Sequence, residues 1–136
     1  MQSRPPINDQ ITALSASQLS AVIRDRGVSC KEVMVAYLER IYRYNPTYNA
    51  IVSLANDDTL LRQAEDADKA LGKGEYWGWM HGIPHAVKDL TDARGFISSL
   101  GSPIFSRTVA TKDSLPIERI RNCLLYTSPS PRDWLQ

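Results

Sequence analysis

A single lysine, Lys88, stands where a catalytic lysine could lie. It closes a short apolar run, Ile83–Val87, which follows a Gly/Pro turn within the stretch His81–Asp89. A lysine acts as a base only when its amine is neutral, and deep burial favours that neutral form. If the apolar run enters the interior of a sheet, it places the amine in a cavity, where the amine could activate a serine nucleophile.

The competing interpretation makes Lys88 a surface residue that pairs with Asp89. Because lysines are mostly exposed and surface ion pairs are common, the spacing alone favours this interpretation. His85, in the same stretch, is expected to be a packed histidine rather than a base or a metal ligand. Trp77 and Trp79 precede the stretch, and they either line a substrate entrance or cover the core.

Two capping boxes predict the first two helices. Ser15 precedes a helix over Ala16–Arg26, which Gly27 is expected to end. Ser29 precedes a second helix, whose apolar stripe lasts until Asn45-Pro46. This second helix has the cleanest start signal in the chain.

The next segments predict one strand and a third helix. The short apolar run Ala50–Leu54 suits a buried strand. The third helix is capped by Asp57 or Asp58 and stops at Gly72, and an ion pair four residues apart supports it, Glu65 with Lys69. The rest is predicted as loops over residues 72–82 and 92–103 and a last helix, capped by Asp113, through Ile117, Ile120 and Arg121.

The composition suits a soluble globular protein and argues against several functions. Of the 136 residues, 43% are hydrophobic and 23% are charged, and the net charge is +1. That charge is too small and too scattered for a nucleic-acid binder. Met1–Gln10 lacks the apolar core of a secretory signal, and no later run could span a bilayer. Cys30 and Cys123 are too few for a disulfide framework and have no metal-ligand spacing, so we expect a cytoplasmic, reducing setting and no metal site. No cofactor is expected either.

The stretch His81–Asp89 resembles the strand that carries the catalytic lysine in the amidase signature family, serine-dependent enzymes that hydrolyse amides. The resemblance implies an α/β fold, in which an N-terminal helical region precedes the first strands of a mixed sheet. It also implies that Lys88 is the base of a Ser-Ser-Lys triad, in which a serine with a cis peptide bond relays the proton to the serine nucleophile. Ordered matches extend along most of the chain: Leu14-Ser15-Ala16, Val28-Ser29, Ala36-Tyr37-Leu38, Arg40-Ile41, Asn45-Pro46, Asn49-Ala50, Gly101-Ser102 and Glu118-Arg119.

Two features of this chain depart from the family pattern. The family's two serines lie in a Gly/Ser-rich stretch well downstream of the lysine, and no such stretch follows here. Ser98, Ser99 and Ser102 belong to the loop after the lysine, so none of them is assigned as the nucleophile. His85 replaces the aliphatic or aromatic residue that is more usual in the lysine strand.

The chain changes character at Cys123, where a segment rich in serine and proline predicts a disordered tail. The string Cys123–Asp133 also resembles the translation of a transposase-type sequencing-library adapter, codon for codon. We therefore expect residues 1–122 to be the N-terminal part of a truncated amidase domain and residues 123–136 to be an artefactual tail. A fragment of this kind should leave Lys88 in water, expose apolar surface and be inactive.

Four functional hypotheses follow. The first is a fragment of an amidase, whose parent hydrolyses a small-molecule amide, as a monomer or a homodimer, without nucleic acid or membrane. The second, in the same family, is the glutamyl-tRNA(Gln) amidotransferase subunit that supplies ammonia for glutaminyl-tRNA. Leu90 favours the first, because that subunit usually has Asn after Lys-Asp. The third is a non-catalytic helical interaction module, and the fourth is a chimeric reading frame without a biological role.

Overall fold

A computed structural model describes residues 10–121, which fall into two compact units, residues 10–85 and residues 86–121. The predicted tail lies outside the described residues. The first unit contains three helices, α1 (Ala16–Arg24), α2 (Cys30–Tyr48) and α3 (Asp57–Gly72). The second contains one short helix, α4 (Leu115–Arg121), and a single 3-10 turn, Pro103–Phe105.

The core of the first unit lies where the apolar faces of α1, α2 and α3 meet. Leu19 and Ile23 from α1 and Val33 from α2 are almost completely buried. The α3 helix contributes small residues at helical spacing, Ala64 and Ala67, so its backbone can approach α2 closely. This three-helix core is the main source of apolar burial in residues 10–85.

The start of α2 is the best-secured helix end in the first unit. The Ser29 side chain accepts the Glu32 N–H at 3.1 Å, and the Glu32 carboxylate accepts the Ser29 N–H at 2.8 Å, which is the predicted capping box. A carboxylate from α3 adds to it, because Asp68 accepts the N–H groups of Cys30 and Lys31 at 2.7 and 3.1 Å. Four otherwise orphaned backbone donors at this helix end, those of residues 29–32, are thus satisfied.

The predicted helices are all present, but several of their ends differ. The α1 helix stops at Arg24, and Arg26 rather than Gly27 takes the left-handed conformation, with a φ of 59°. The α2 helix continues through Pro46 to Tyr48. A proline removes only its own N–H, and the Asn45 carbonyl still accepts the Asn49 N–H at 2.7 Å.

The predicted strand over Ala50–Leu54 is absent. Both polar atoms of the Asn45 side chain bind the backbone of Ile51, at 2.8 Å each, and this ties the segment back to α2. Residues 10–85 contain no strand with which this segment could pair. The segment is not buried either, since Val52 is 74% exposed. A short apolar run cannot form a buried strand without partners for its backbone groups.

The third helix also differs from its prediction in two contacts. Its N-cap is Asn56, whose side chain accepts the Asp58 N–H at 2.8 Å, so neither predicted aspartate is the cap. The expected pairing within the helix is replaced by two other ion pairs, Lys31 with Glu65 at 2.7 Å and Lys69 with Asp66 at 2.9 Å. The lysine from α2 therefore connects the two helices.

The second unit is held mainly by loop hydrogen bonds. Residues 95–98 lie antiparallel to residues 108–110, with an isolated bridge between Ile97 and Val109. Asp113 does not cap α4 through its side chain; its carboxylate accepts the Arg94 N–H at 2.7 Å and pairs with the Arg121 guanidinium at 3.0 Å. These two contacts, the Arg94 amide foremost, hold the pKa of Asp113 below its ordinary value.

The helices of residues 10–121 include none that is both long enough and apolar enough to cross a membrane. Within the same residues, no group of three or more histidine, cysteine and acidic side chains is arranged to hold a metal ion.

Candidate functional site around Lys88 and Asp89

The first half of the stretch His81–Asp89 is anchored in the core of the first unit by His81. Its ring is 2% exposed, and its two nitrogens both have partners. Nδ1 accepts the Trp77 N–H at 3.1 Å, which leaves Nε2 to donate to the Ala67 carbonyl at 3.0 Å. The Trp77 ring packs against the imidazole, with 4.7 Å between the ring centroids. His81 therefore ties the loop before the lysine segment to α3.

Gly82 makes the next contact, with the buried thiol of Cys30 at the start of α2. A Cβ built on Gly82 would lie 2.2 Å from Cys30 Sγ, and the φ of Gly82 is 70°. Only glycine fits both the left-handed backbone and this close approach. Burial, followed by the neighbouring Asp68 carboxylate, raises the pKa of the Cys30 thiol to about 12. The thiol is a packing group here, because its thiolate is strongly disfavoured.

Lys88 lies in the second half of the stretch, in a different environment. Residues 83–88 have no regular secondary structure and pair with no strand among residues 10–121. The Lys88 side chain is exposed, and Val87 beside it is 38% exposed. The Lys88 carbonyl accepts the Thr91 N–H at 2.9 Å, so the chain turns directly after the lysine. The burial that a catalytic role would require is therefore not found among residues 10–121, and Lys88 is exposed to water as expected of a fragment.

His85 is exposed, so the expectation that it is a packed histidine is wrong. The buried histidine of the stretch is His81, four positions earlier. Trp77 is 43% exposed and covers one side of His81, whereas Trp79 is 42% exposed. The contact with the His81 ring explains part of the burial of Trp77.

Asp89 has a well-defined polar environment. Its Oδ1 accepts the Ser99 N–H at 2.8 Å, and its Oδ2 accepts the Ser99 hydroxyl and the Gly101 N–H, the latter at 3.0 Å. The Ser99 hydroxyl, the Ser99 amide and the Gly101 amide together hold the pKa of Asp89 below its ordinary value. The ion pairs among residues 10–121 include none between Asp89 and Lys88, contrary to the surface-pair interpretation.

The three serines of the loop after the lysine all have structural hydrogen bonds. The Ser98 hydroxyl donates to Asp92 Oδ1 at 2.6 Å, and the Ser99 hydroxyl donates to Asp89. The Ser102 hydroxyl accepts the Ile104 N–H at 3.3 Å and begins the 3-10 turn. Among residues 10–121, the hydrogen bonds of these three hydroxyls go to aspartates or to the backbone, and none of them joins a serine to Lys88 or to a histidine.

The arrangement among the described residues supplies an accessible amine and an ordered carboxylate, side by side in sequence. A lysine becomes a base where its surroundings disfavour the charged form, chiefly by excluding water. Within residues 86–121 no such enclosure surrounds Lys88. Its assignment as a catalytic residue therefore stays a prediction.

Two organising residues were missed by sequence reasoning. Asp89 was considered only as a surface partner of Lys88, although Ser99 and Gly101 in the Gly/Ser-rich loop are suitable donors for an aspartate. His81 was not distinguished from His85. No local signal separates the two histidines, because the burial of His81 depends on the Ala67 carbonyl, fourteen positions earlier in the chain.

Comparison with protein families gives a match over most of the chain. A family model described as Amidase matches residues 32–123. The matched range includes α2 from residue 32 onward, α3, the segment around Lys88, and α4.

Curated relatives match a similar part of the chain. The glutamyl-tRNA(Gln) amidotransferase subunit of Bdellovibrio bacteriovorus is 31% identical over 111 residues, which is 82% of this chain and 22% of that protein. The acylamidase of Rhodococcus erythropolis is 30% identical over 108 residues, 79% of this chain and 22% of the relative. The same amidotransferase subunit from Thiobacillus denitrificans is 36% identical over 109 residues, 80% of this chain and 22% of the relative. The chain thus spans about a fifth of the length of these relatives.

Proposed function

Because this chain belongs to the amidase family, we propose that the complete protein hydrolyses a carboxamide through an acyl-serine intermediate, with Lys88 as the base. The observation that carries this proposal is the family match over residues 32–123, which contains Lys88. The acylamidase of Rhodococcus erythropolis is the relative whose name describes this type of reaction. In the proposed mechanism Lys88 acts through a relay serine on the serine nucleophile, and both serines belong to sequence beyond residue 122.

The finer fold is part of the proposal. We expect residues 83–88 to become a strand of a mixed α/β sheet once further strands are present. Their backbone is not part of any helix or sheet ladder, and the polar groups of an unpaired segment are available to a neighbouring strand. Burial of Val87, now 38% exposed, would accompany that pairing. The amine of Lys88 would then lie in an enclosed site, where a neutral lysine is favoured.

The proposed extent of the domain follows the sequence prediction. Residues 1–122 form the N-terminal part of an amidase domain, and residues 123–136 derive from adapter sequence. Support comes from the relatives, in which the greater part of the protein lies outside the region matched here. The proposed substrate is a small amide, bound by a monomer or a homodimer without nucleic acid or membrane. The proposed setting is the cytoplasm, where the buried thiol of Cys30 stays reduced.

The test begins with the genomic sequence beyond codon 121, from which the complete protein is expressed and assayed on a panel of carboxamides. Lys88→Ala should lower kcat by about a hundred-fold to ten-thousand-fold, because proton transfer by a positioned base contributes about that much. Lys112→Ala is the matched control, since Lys112 is another exposed lysine of the second unit, and it should keep the activity of the wild type. Equal activity of wild type and Lys88→Ala would contradict the role of Lys88.

A second candidate is the corresponding subunit of glutamyl-tRNA(Gln) amidotransferase, which the names of several relatives favour. The assay above separates the two. A plain amidase hydrolyses small carboxamides as a purified single chain, whereas one subunit of an amidotransferase should need its partner subunits and a glutamyl-tRNA for full activity. Leu90, where that subunit usually has Asn, favours the plain amidase.

If genomic DNA encodes Cys123–Gln136 as written, the proposed truncation is wrong.

A further inference from the structure

The residue that directly follows Lys88 is unusually well fixed for an aspartate in a loop. Asp89 lies at the second position of the turn that Lys88 begins, and its carboxylate accepts three hydrogen bonds from the segment Ser99–Gly101, about ten residues later in the chain. We call this set of contacts the Asp89 clamp. Through it, a loop distant in sequence determines the course of the backbone beside Lys88.

The loop side of the clamp has a backbone that needs support. Leu100 has a φ of 52° and Gly101 a φ of 70°, so two successive residues take the left-handed conformation. That conformation is unfavourable for leucine, whose Cβ approaches the following carbonyl. Leu100 is also 51% exposed, so side-chain burial contributes little to holding it. The Ser102 N–H closes this turn by donating to the Ser99 carbonyl at 2.8 Å. The hydrogen bonds from Ser99 and Gly101, on either side of Leu100, tie the turn to Asp89.

We propose that Asp89 is a positioning residue for Lys88, which fixes the lysine to the Ser99–Gly101 loop so that its amine has one direction in the completed active site. The inference rests on the proposed function, because it concerns the base of that reaction. Asp89 itself touches no reacting atom in this mechanism. Its contribution is to limit the orientations of the residue before it, which matters because a misplacement of about 1 Å can lower a rate about a hundred-fold.

The clamp requires a carboxylate rather than any polar side chain of the same shape. Asparagine has one acceptor oxygen and one donor nitrogen at its end. If the nitrogen replaced Oδ2, it would face the Gly101 N–H; if it replaced Oδ1, it would face the Ser99 N–H. In the first case the Gly101 N–H keeps only the Ser99 hydroxyl oxygen as an acceptor, at 3.2 Å, and in the second the Ser99 N–H loses its acceptor. Asp89→Asn should therefore weaken the clamp with almost no change in volume.

Asp92 provides the matched control within the same unit. Its carboxylate accepts one hydrogen bond, from the Ser98 hydroxyl at 2.6 Å. A hydroxyl can also accept, so an asparagine amide at position 92 can donate to Ser98 and keep the contact with its direction reversed. Asp92→Asn therefore removes the same charge as Asp89→Asn without orphaning a backbone donor.

The first arm of the experiment uses the 136-residue chain, labelled with nitrogen-15, and follows amide hydrogen exchange at Ser99 and Gly101. Asp89→Asn should speed exchange at both amides about tenfold or more, while Asp92→Asn leaves both within about twofold of the wild type. Unchanged protection of both amides in Asp89→Asn would overturn the inference, because the clamp would then not hold the loop.

The second arm uses the complete protein and measures kcat, KM and the pH profile of kcat/KM for the wild type and both variants. Asp89→Asn should lower kcat about ten-fold to a hundred-fold, change KM by less, and displace the limb of the profile that reports the base. A merely structural role would reduce the amount of active enzyme and leave that limb in place. An active wild type with an unaffected Asp89→Asn would overturn the inference alone, whereas a wild type inactive on every amide would overturn the proposed function itself.

Discussion

The two halves of the stretch His81–Asp89 are held by different kinds of contact. His81 and Gly82 are fixed by a buried ring and a close approach to Cys30, both in the core of the first unit. Lys88 is exposed, and Asp89 is fixed by hydrogen bonds from a loop of the second unit. The first half depends on packing, which tolerates little change in volume, and the second depends on polar geometry.

This difference shows which part of the stretch finds the contacts that it needs within residues 10–121. The histidine and the glycine have all the neighbours that their burial requires. The lysine has an ordered residue after it, but lacks the enclosure that a base needs. The His81 anchor therefore forms within residues 10–85, and substitutions in one half of the stretch can be tested against matched substitutions in the other.

The largest expected effect comes from adding one methyl group to Gly82 in the first half, compared with the same change at Gly101, whose N–H binds Asp89 of the second half. Gly82→Ala should lower the free energy of unfolding of the first unit by about 3 kcal/mol or more, because the added Cβ meets Cys30 in a packed site and the left-handed backbone becomes strained. Gly101→Ala has the same φ of 70° but nothing within 4 Å of its Cβ, so only the backbone cost of about 1 kcal/mol remains. Exchange of the buried amides of Val33 and Ala110 measures the two units separately.

A double mutant separates the two contributions at Gly82. Cys30→Ala removes the sulfur, so the combination with Gly82→Ala should lose less stability than the sum of the single changes. Full additivity would mean that the close approach to the sulfur costs nothing. Equal losses for Gly82→Ala and Gly101→Ala would remove the contrast between a packed and an open half.

The next largest effect concerns the two histidines of the stretch. His81→Phe preserves a ring but leaves the Trp77 N–H without an acceptor and removes a donor from the Ala67 carbonyl, which should cost about 2 kcal/mol of unfolding free energy. His85→Phe, at an exposed position, should change it by less than about 0.5 kcal/mol. Chemical denaturation of both variants is the measurement, and a larger loss for His85→Phe would contradict the assignment of His81 as the anchor.

The helices were predictable from the sequence because their signals are local. The Ser15 and Ser29 capping boxes each involve residues three positions apart, and both form as predicted. The end of α2 was predicted too early because Asn45 holds the chain beyond Pro46 through contacts with Ile51. The strand predicted over Ala50–Leu54 failed because strands need partners, and periodicity in one segment says nothing about those.

The site was predictable only in part, for a related reason. Lys88 was identified because the stretch His81–Asp89 resembles the lysine strand of the amidase signature family. Its role as a base still depends on that resemblance. The buried state of His81 depends on a carbonyl of α3, and the Asp89 clamp depends on a turn formed by Ser99 and Gly101. Such contacts join residues ten or more positions apart, and no local propensity specifies them.

The smallest effects are expected from pH, and the two halves should respond at opposite ends of the scale. The folded state raises the pKa of Cys30 from about 9 to about 12, so the unfolded chain loses the thiol proton more readily. The stabilising contribution is fully present below about pH 9 and declines as the pH rises toward 12. In a Cys123→Ser background, the free energy of unfolding of the first unit should therefore fall as the pH rises through this range, and Cys30→Ala should abolish that dependence.

Asp89 should respond in the opposite direction. Its folded pKa lies below the ordinary value, so its contribution is present above about pH 4 and is lost as the pH falls through the lower folded value. Protonation removes an acceptor that Ser99 and Gly101 both use, and the loop should open. The amide shifts of Ser99 and Gly101, followed from about pH 6 to about pH 2, should therefore titrate together, while those of Val33 in the first unit should not follow the same curve. Independent midpoints for the two loop amides would mean that they do not share one carboxylate, and the second half of the stretch would then lack the polar geometry that distinguishes it from the first.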